Sequence, residues 1–114
     1  MRLDTSDPAG AEKLGIGLAR LVDGKRPSVV LISQTTEDAV LGHIVGRELG
    51  IPVIRIYDEE GLATSSAPIP RGAKAVLVSE AATDGQLIDA AKALLARAGG
   101  QLIMVAALTQ LEGR

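Results

Sequence analysis

The sequence predicts an α/β fold in which a mainly parallel, doubly wound sheet lies between two layers of helices. Helical and strand-like patterns alternate along the chain, and this alternation implies right-handed crossovers between parallel strands. Hydrophobic residues make up 46% of the sequence, which has no Phe or Trp and a single Tyr. Val, Ile, Leu and Ala must therefore form the core, as is typical of buried parallel strands. The length of 114 residues predicts that residues 1–114 form one domain.

The first half of the chain contains two helical patterns and two strand patterns. Asp7 and Pro8 are typical of a helix N-terminus, and apolar residues follow them at helical spacing. Residues 29–32 form an apolar run of strand length. Thr35 can cap a second helix, which a glycine and a proline end, and residues 52–57 then form a second strand.

The second half begins with a long connection. Residues 58–73 show neither helical nor strand periodicity, and the segment greatly exceeds the usual connection of about 4–6 residues. We therefore interpret it as a candidate functional or mobile loop. Residues 74–78 form the third strand, residues 87–98 carry the clearest amphipathic helical pattern, and residues 101–108 form the fourth strand.

The four strands are expected in the spatial order 2-1-3-4, with a switch point between the first and third strands. Ligands of such sheets bind outside the carboxyl ends of the strands at the switch point. The turns after Ile32 and Val78 should therefore lie side by side. The long connection after the second strand can fold over them.

Composition and charge exclude several classes of function. The formal net charge of −2 and the scarcity of aromatic rings argue against a nucleic-acid partner. The sequence has no Cys, and His43 is its only histidine, so neither a transition-metal site nor a Ser-His-acid hydrolase is expected. No apolar run reaches the length of a membrane span. The expected location is the cytoplasm, and the high apolar fraction favours a homodimer.

The turn after the third strand reads SEAATDGQ and has two interpretations. Thr83 and Gln86 match a reciprocal capping box, and Asp84 lies where the helix dipole favours an acid, so the turn can simply start a helix. Alternatively, Gly85 and the nearby backbone N–H groups form a phosphate-binding site at a helix N-terminus. The negatively charged carboxylate of Asp84 would repel an anion bound at this helix N-terminus.

Other polar residues follow the same two strands. Glu80 can accept hydrogen bonds from sugar hydroxyl groups or help to hold Mg²⁺. It can equally be a solvated acid at a strand end. Ser33, Thr35 and Thr36 supply hydroxyls and backbone donors at the neighbouring helix start. Two acidic residues in the first turn of that helix suit capping better than anion binding.

The order of these motifs resembles that of the type I phosphoribosyltransferases, particularly their orotate-type branch, over roughly residues 28–114. Members of this family have a strand, then a loop that contacts pyrophosphate, then a helix that ends in LG.P. The segment VVLISQTTEDAVLGHIVGRELGIPV has the same layout, and Leu49, Gly50 and Pro52 match the LG.P motif. The family motif of two acids followed by TTGG corresponds to SEAATDGQ. Glu80 matches the second acid, and Thr83 and Gly85 are the same residues as at the corresponding positions of the family motif.

Several positions depart from the family pattern. Ser79 stands where the first acid is expected, Asp84 replaces a threonine, and Leu87 replaces the hydroxyl residue that would bond a 5′-phosphate. Tyr57 and Asp58 fall where an arginine and a lysine are expected. The resemblance thus implies the family's core fold with a degenerate ligand motif. The short chain leaves little room for the hood with which the family's enzymes read the base.

The resemblance implies phosphoribosyl pyrophosphate and Mg²⁺ as ligands if transfer activity is present. Because basic residues are missing, we expect instead a catalytically degenerate protein that binds a ribose-phosphate or nucleotide-like ligand or a protein partner. One alternative is an active phosphoribosyltransferase acting on a nucleobase, in which Arg55, Arg71 or Lys74 replaces the missing basic residues. Another is an unrelated doubly wound docking or receiver-like module.

Overall fold

The structure is a computed structural model that describes residues 6–59, 62–80 and 85–108. In these residues three helices alternate with strands of one five-stranded sheet. None of the described helices combines the length and hydropathy needed to cross a bilayer. The elements in chain order are α1 (Pro8–Asp23), β1 (Val29–Ile32), α2 (Thr36–Leu49), β2 (Val53–Glu59), β3 (Leu62–Ser65), β4 (Lys74–Ser79), α3 (Gly85–Arg97) and β5 (Gln101–Ala107).

The strands lie in the order β3-β2-β1-β4-β5. β2, β1, β4 and β5 run parallel to one another, whereas β3 is antiparallel to β2. The predicted 2-1-3-4 order is thus confirmed for the parallel strands, and the switch point lies between β1 and β4. The predicted three-layer α/β architecture is also confirmed.

The prediction that residues 58–73 lack regular structure is wrong for their first part. β2 continues to Glu59, and the chain returns as β3, in which Thr64 pairs with Tyr57 and Ala63 with Asp58. β3 has only four residues and lies at the edge of the sheet, so its short sequence LATS carries no recognisable strand period. Its extended conformation depends on hydrogen bonds to β2, which local patterns do not reveal.

Two hydrophobic clusters hold the helices on opposite faces of the sheet. On one face α1 and α2 pack against side chains of β1 and β4, and Leu18, Leu41 and Val45 are fully buried there. On the other face α3 packs against β1, β2 and β4 through Ala91 and Leu95. Because both faces are covered, all four residues of β1 are buried, as expected for a central parallel strand.

Local signals explain where α2 begins and ends. The Thr35 side chain accepts a hydrogen bond from the Asp38 backbone N–H at 3.2 Å, which is the predicted N-cap. Gly50 ends the helix in the left-handed conformation, with φ of 69°. Two further glycines, Gly42 and Gly46, let the helix approach the sheet closely, because a Cβ at either would collide with a side chain of Ile32 or Val53.

The strand register defines the edge at which the candidate site lies. Ile32, the last residue of β1, pairs with Arg55 of β2, and Leu31 pairs with Leu77 of β4. β2 therefore runs four residues beyond the end of β1 to Glu59, a length of about 13 Å. The β2–β3 hairpin thus projects beyond the carboxyl end of the sheet.

Candidate functional site

The turns that follow β1 and β4 meet at the carboxyl edge of the sheet. One carboxylate, that of Asp38 in the first turn of α2, joins them: its Oδ2 accepts a hydrogen bond from Ser33 Oγ at 2.6 Å. Its Oδ1 accepts a hydrogen bond from the backbone N–H of Glu80 at 2.8 Å. The prediction that these two turns lie side by side is therefore confirmed.

Asp38 is only 4% exposed, so its charge is removed from water. A buried carboxylate is stable only when hydrogen bonds compensate for the lost hydration. Here the compensation comes from the Ser33 hydroxyl, the Glu80 amide and the positive end of the α2 dipole. The sequence interpretation saw only a first-turn acid at this position and missed its contact with β4.

The hydroxyl groups after β1 bond mainly to one another and to α2. Ser33 Oγ lies 3.2 Å from Thr35 Oγ1 and accepts a hydrogen bond from the Thr35 backbone N–H. Thr35 Oγ1 in turn accepts from the Asp38 amide. Thr35 and Thr36 are exposed, and Ser33 is half-buried. The capping interpretation therefore explains Ser33 and Thr35 without any ligand, and it leaves the exposed Thr36 available to one.

Glu80 combines a fixed backbone with an exposed side chain. Its amide is held by Asp38, whereas the residue itself is exposed at the carboxyl edge. Gly85 is the first residue of α3 and is exposed, and a Cβ there would meet no atom within 4 Å. Thr83 and Asp84, the other two predicted ligand residues of this turn, lie outside the described residues.

Leu87 illustrates how α3 departs from the family pattern. The resemblance predicts a hydroxyl residue at this position, but the half-buried Leu87 side chain packs against the core cluster between α3 and the sheet. It therefore contributes apolar packing at a place where a phosphate-binding residue was expected. Ser79, which stands where the family's first acid is expected, ends β4 and is 6% exposed.

Acidic side chains dominate the described part of the carboxyl edge. Arg55 is level with the end of β1 and is exposed. Lys74 is the first residue of β4 and Arg71 precedes it, so both lie at the opposite, amino edge. The proposal that these two basic residues replace missing ones is therefore wrong, and Arg55 is the one member of that trio near the site. The acidic residues at this edge are Glu37, Asp38, Asp58, Glu59 and Glu80.

No group of three or more His, Cys, Asp or Glu residues within the described ranges is arranged to hold a metal ion. His43 is exposed on α2. Both carboxylate oxygens of Asp38 already accept hydrogen bonds from the protein, so the exposed Glu80 is the acid best placed to contact a ligand. This donor set does not form a metal site by itself.

No protein-family model matches the sequence, and no curated protein is significantly similar to it. Solved structures do resemble the fold. An adenine phosphoribosyltransferase from Thermoanaerobacter pseudethanolicus superimposes with a TM-score of 0.73 at 16% identity, over 88% of this chain and 67% of that enzyme. The corresponding enzyme from Leishmania tarentolae gives 0.72 at 15% identity, over 90% of this chain and 58% of its own.

A third structure, a hypothetical protein from Neisseria gonorrhoeae with bound ppGpp, matches with a TM-score of 0.59 at 14% identity, over 85% of this chain and 65% of that one. This chain thus spans between 58% and 67% of the lengths of these three proteins. The orotate-type branch remains a prediction. The sheet order and these likenesses give the chain the fold of the type I phosphoribosyltransferases.

Proposed function

We propose that this chain is a catalytically degenerate protein of phosphoribosyltransferase fold, which binds a ribose-phosphate or nucleotide-like ligand at its carboxyl edge without transferring a phosphoribosyl group. The observation that carries this proposal is the position of Asp38. Its buried carboxylate accepts hydrogen bonds from the Ser33 hydroxyl and the Glu80 amide. A negative charge of the protein itself therefore occupies the junction between the two strand exits.

This charge opposes a ligand that carries several phosphate charges. Two like charges about 4 Å apart repel each other by roughly 4 kcal/mol at an effective dielectric constant near 20. Transfer from a sugar diphosphate also requires positive groups that stabilise the departing pyrophosphate. Among the described residues of this edge, Arg55 is the basic side chain closest to the end of β1, and the surrounding side chains are mainly acidic.

The same edge suits a ligand that presents hydroxyl groups. The exposed carboxylate of Glu80 can accept hydrogen bonds from two hydroxyl groups of a ribose. The exposed Thr36 hydroxyl and the N-terminus of α2 offer further polar contacts. Two structural neighbours carry ligands that contain a ribose: an adenine phosphoribosyltransferase from Trypanosoma brucei is in complex with AMP and ribose 5-phosphate as well as pyrophosphate, and the Neisseria protein has bound ppGpp.

Mg²⁺ belongs to the alternative in which the chain is an active enzyme. Glu80 could provide one oxygen ligand, and phosphates and water would have to complete the coordination. The described donor set does not supply such a site alone.

The test uses the full chain and three probes: AMP, ribose 5-phosphate, and phosphoribosyl pyrophosphate with Mg²⁺. We expect calorimetry to detect saturable binding of AMP or ribose 5-phosphate. Pyrophosphate release with common nucleobases should stay at the background rate. Glu80→Ala should weaken binding by about tenfold or more, because it removes charged hydrogen bonds worth roughly 1.5–3 kcal/mol. Asp23→Ala, which removes an exposed acid at the end of α1, is the matched control.

Two outcomes contradict the proposal. Pyrophosphate release that depends on a nucleobase and is abolished by Glu80→Ala would establish the active-enzyme alternative. Failure of all three probes to bind at millimolar concentration would remove the small-molecule ligand and favour a protein partner.

A further inference from the structure

A depression of about 290 Å³ lies between the end of β3, the turn before β4 and the C-terminus of α3. Two of its side chains are arginines, and both are exposed. Three others are apolar. The lining residues are Ser65, Ile69, Arg71, Leu94, Arg97 and Ala98.

Backbone geometry brings the two arginines together from separate elements. The Gly72 N–H donates to the carbonyl oxygen of Ala98 at 2.8 Å, so the turn before β4 is fixed to the end of α3. Gly72 has a φ of 71°, a conformation that favours glycine. Arg71 and Arg97 are each adjacent in sequence to one partner of this hydrogen bond, so their backbones lie close together.

Neither arginine forms a salt bridge with a described residue. Arg97 makes one long contact, 3.4 Å from Nη1 to the carbonyl oxygen of Ala63. Among the residues that the structure describes, no Asp or Glu lines the depression. The negative end of the α3 dipole explains a cation at Arg97, the last residue of the helix. The dipole does not explain Arg71, whose positive charge adds to that of Arg97 on the wall of the same depression and favours an anion there.

We propose that this depression is a second ligand site, which binds a small organic anion with an apolar body. A guanidinium group presents a planar fork of donors that matches a carboxylate or phosphate in two parallel hydrogen bonds. The apolar body would lie against Leu94 and Ile69, which both contact the core cluster below. Ser65 Oγ donates to the carbonyl oxygen of Ala67 at 2.7 Å and keeps its lone pairs for a donor of the ligand.

This site is independent of the proposed function at the carboxyl edge. Lys74 begins β4 and Ser79 ends it, so the two edges are about 16 Å apart along that strand. None of the lining residues of the depression is among the residues proposed to bind the ligand at the carboxyl edge. Failure of either proposal therefore leaves the other unaffected.

The test is an NMR titration of the ¹⁵N-labelled full chain with butyrate and, separately, with inorganic phosphate at constant ionic strength. We expect saturable shifts at the amides of Gly72 and residues 94–98. Butyrate should bind more tightly than phosphate if the apolar wall contributes. Arg71→Gln and Arg97→Gln should each raise the Kd of butyrate by about tenfold or more. Lys92→Gln removes one exposed positive charge from the same helix and should change the Kd less than about twofold.

Circular dichroism of each variant establishes that it is folded, so a loss of binding can be assigned to the site. Tighter binding of phosphate than butyrate would identify the occupant as a phosphate group rather than a carboxylate with an apolar body and would overturn the assigned ligand class. Absence of saturable shifts, shifts confined to the carboxyl edge, or equal weakening by Lys92→Gln would each overturn the site.

Discussion

Asp38 connects two segments that are 42 residues apart in the sequence. The local sequence reveals its place in the first turn of α2, because Thr35 precedes it by three residues and caps its amide. Nothing local reveals that its carboxylate bonds the backbone of Glu80. The roles of Thr35 and Gly50 follow from neighbouring residues and were predicted, whereas the role of Asp38 depends on the sheet order and was not.

Replacing Asp38 should destabilise the fold by leaving two donors without their acceptor. We expect Asp38→Ala to lower the free energy of unfolding by about 1–3 kcal/mol. Asp38→Asn should cost less, because its amide oxygen can still accept the Glu80 N–H. Urea denaturation measures both values, and hydrogen exchange of the Glu80 amide should be faster in the alanine variant. Glu37→Ala alters the adjacent exposed acid and serves as the control; an equal loss there would contradict this role.

Gly42 is required by packing. A Cβ at this position would collide with Cγ2 of Ile32, a β-branched side chain with little freedom to move. Gly42→Ala should therefore lower the free energy of unfolding by about 1–3 kcal/mol, despite the higher helix propensity of alanine. Gly24→Ala is the matched control, because no atom lies within 4 Å of its built Cβ and its φ is −64°. Thermal unfolding of both variants tests the difference.

Helices and strands whose own sequence has a clear hydrophobic pattern were predictable. A strand that forms only by pairing with a neighbouring strand was not. α2 and β1 have clear local patterns, and the predicted limits of β1 agree with the structure. β3 was missed because its four residues become a strand only through pairing with β2. At the site, sequence patterns identified the two turns correctly, but the distribution of charge between the two edges became evident only when Arg71 and Lys74 were found at the amino edge.

The α1–α2 pair is held at its surface by an ion pair. Arg47 donates to both carboxylate oxygens of Glu12, at 2.9 and 2.8 Å. The hydrogen bond from Arg47 holds the pKa of the Glu12 carboxyl below its ordinary value of 4.5 and raises the pKa of Arg47. Both side chains are about half exposed, so solvent screening keeps the contribution to stability small.

The pH dependence of this ion pair has a defined sign. Because the folded-state pKa of Glu12 is lowered, its stabilising effect is present above pH 4.5 and is lost as the pH falls through the folded value. Glu12→Gln should therefore reduce Tm slightly at pH 7 and flatten the decline of Tm below pH 4.5. Scanning calorimetry between pH 7 and 3 checks this. Identical pH profiles for Glu12→Gln and the parent chain would contradict it.

For the whole molecule, a formal net charge of −2 conceals a separation of charge. Acids predominate at the carboxyl edge, where Glu37, Glu59 and Glu80 lie with Arg55. Arg71 and Lys74 lie at the amino edge and Arg97 ends α3, although Asp23 and Glu48 at the ends of α1 and α2 add negative charge on that side. We therefore expect a negative electrostatic potential around Glu80 and a positive one around Arg71 and Arg97. Their ligands should respond differently to salt.

Raising the ionic strength from about 0.01 to 0.15 M shortens the Debye length from about 30 to 8 Å. Binding of ribose 5-phosphate at the acidic carboxyl edge should become tighter or stay unchanged, because screening relieves repulsion. Binding of butyrate at Arg71 and Arg97 should weaken, because screening reduces attraction. Titrations at both salt concentrations measure the two slopes. A parallel weakening of both ligands would contradict the assignment of opposite potentials.

The two outer strands of the described sheet differ in length: β5 has seven residues, and β3 has four. Unpaired backbone groups of an outer strand can add a strand from another molecule, and a short strand offers few of them. If two copies paired through β5, the remaining outer strand of each copy would be the short β3, and a third molecule could add only there. Because β3 offers few unpaired backbone groups, such a homodimer would not extend into a fibre.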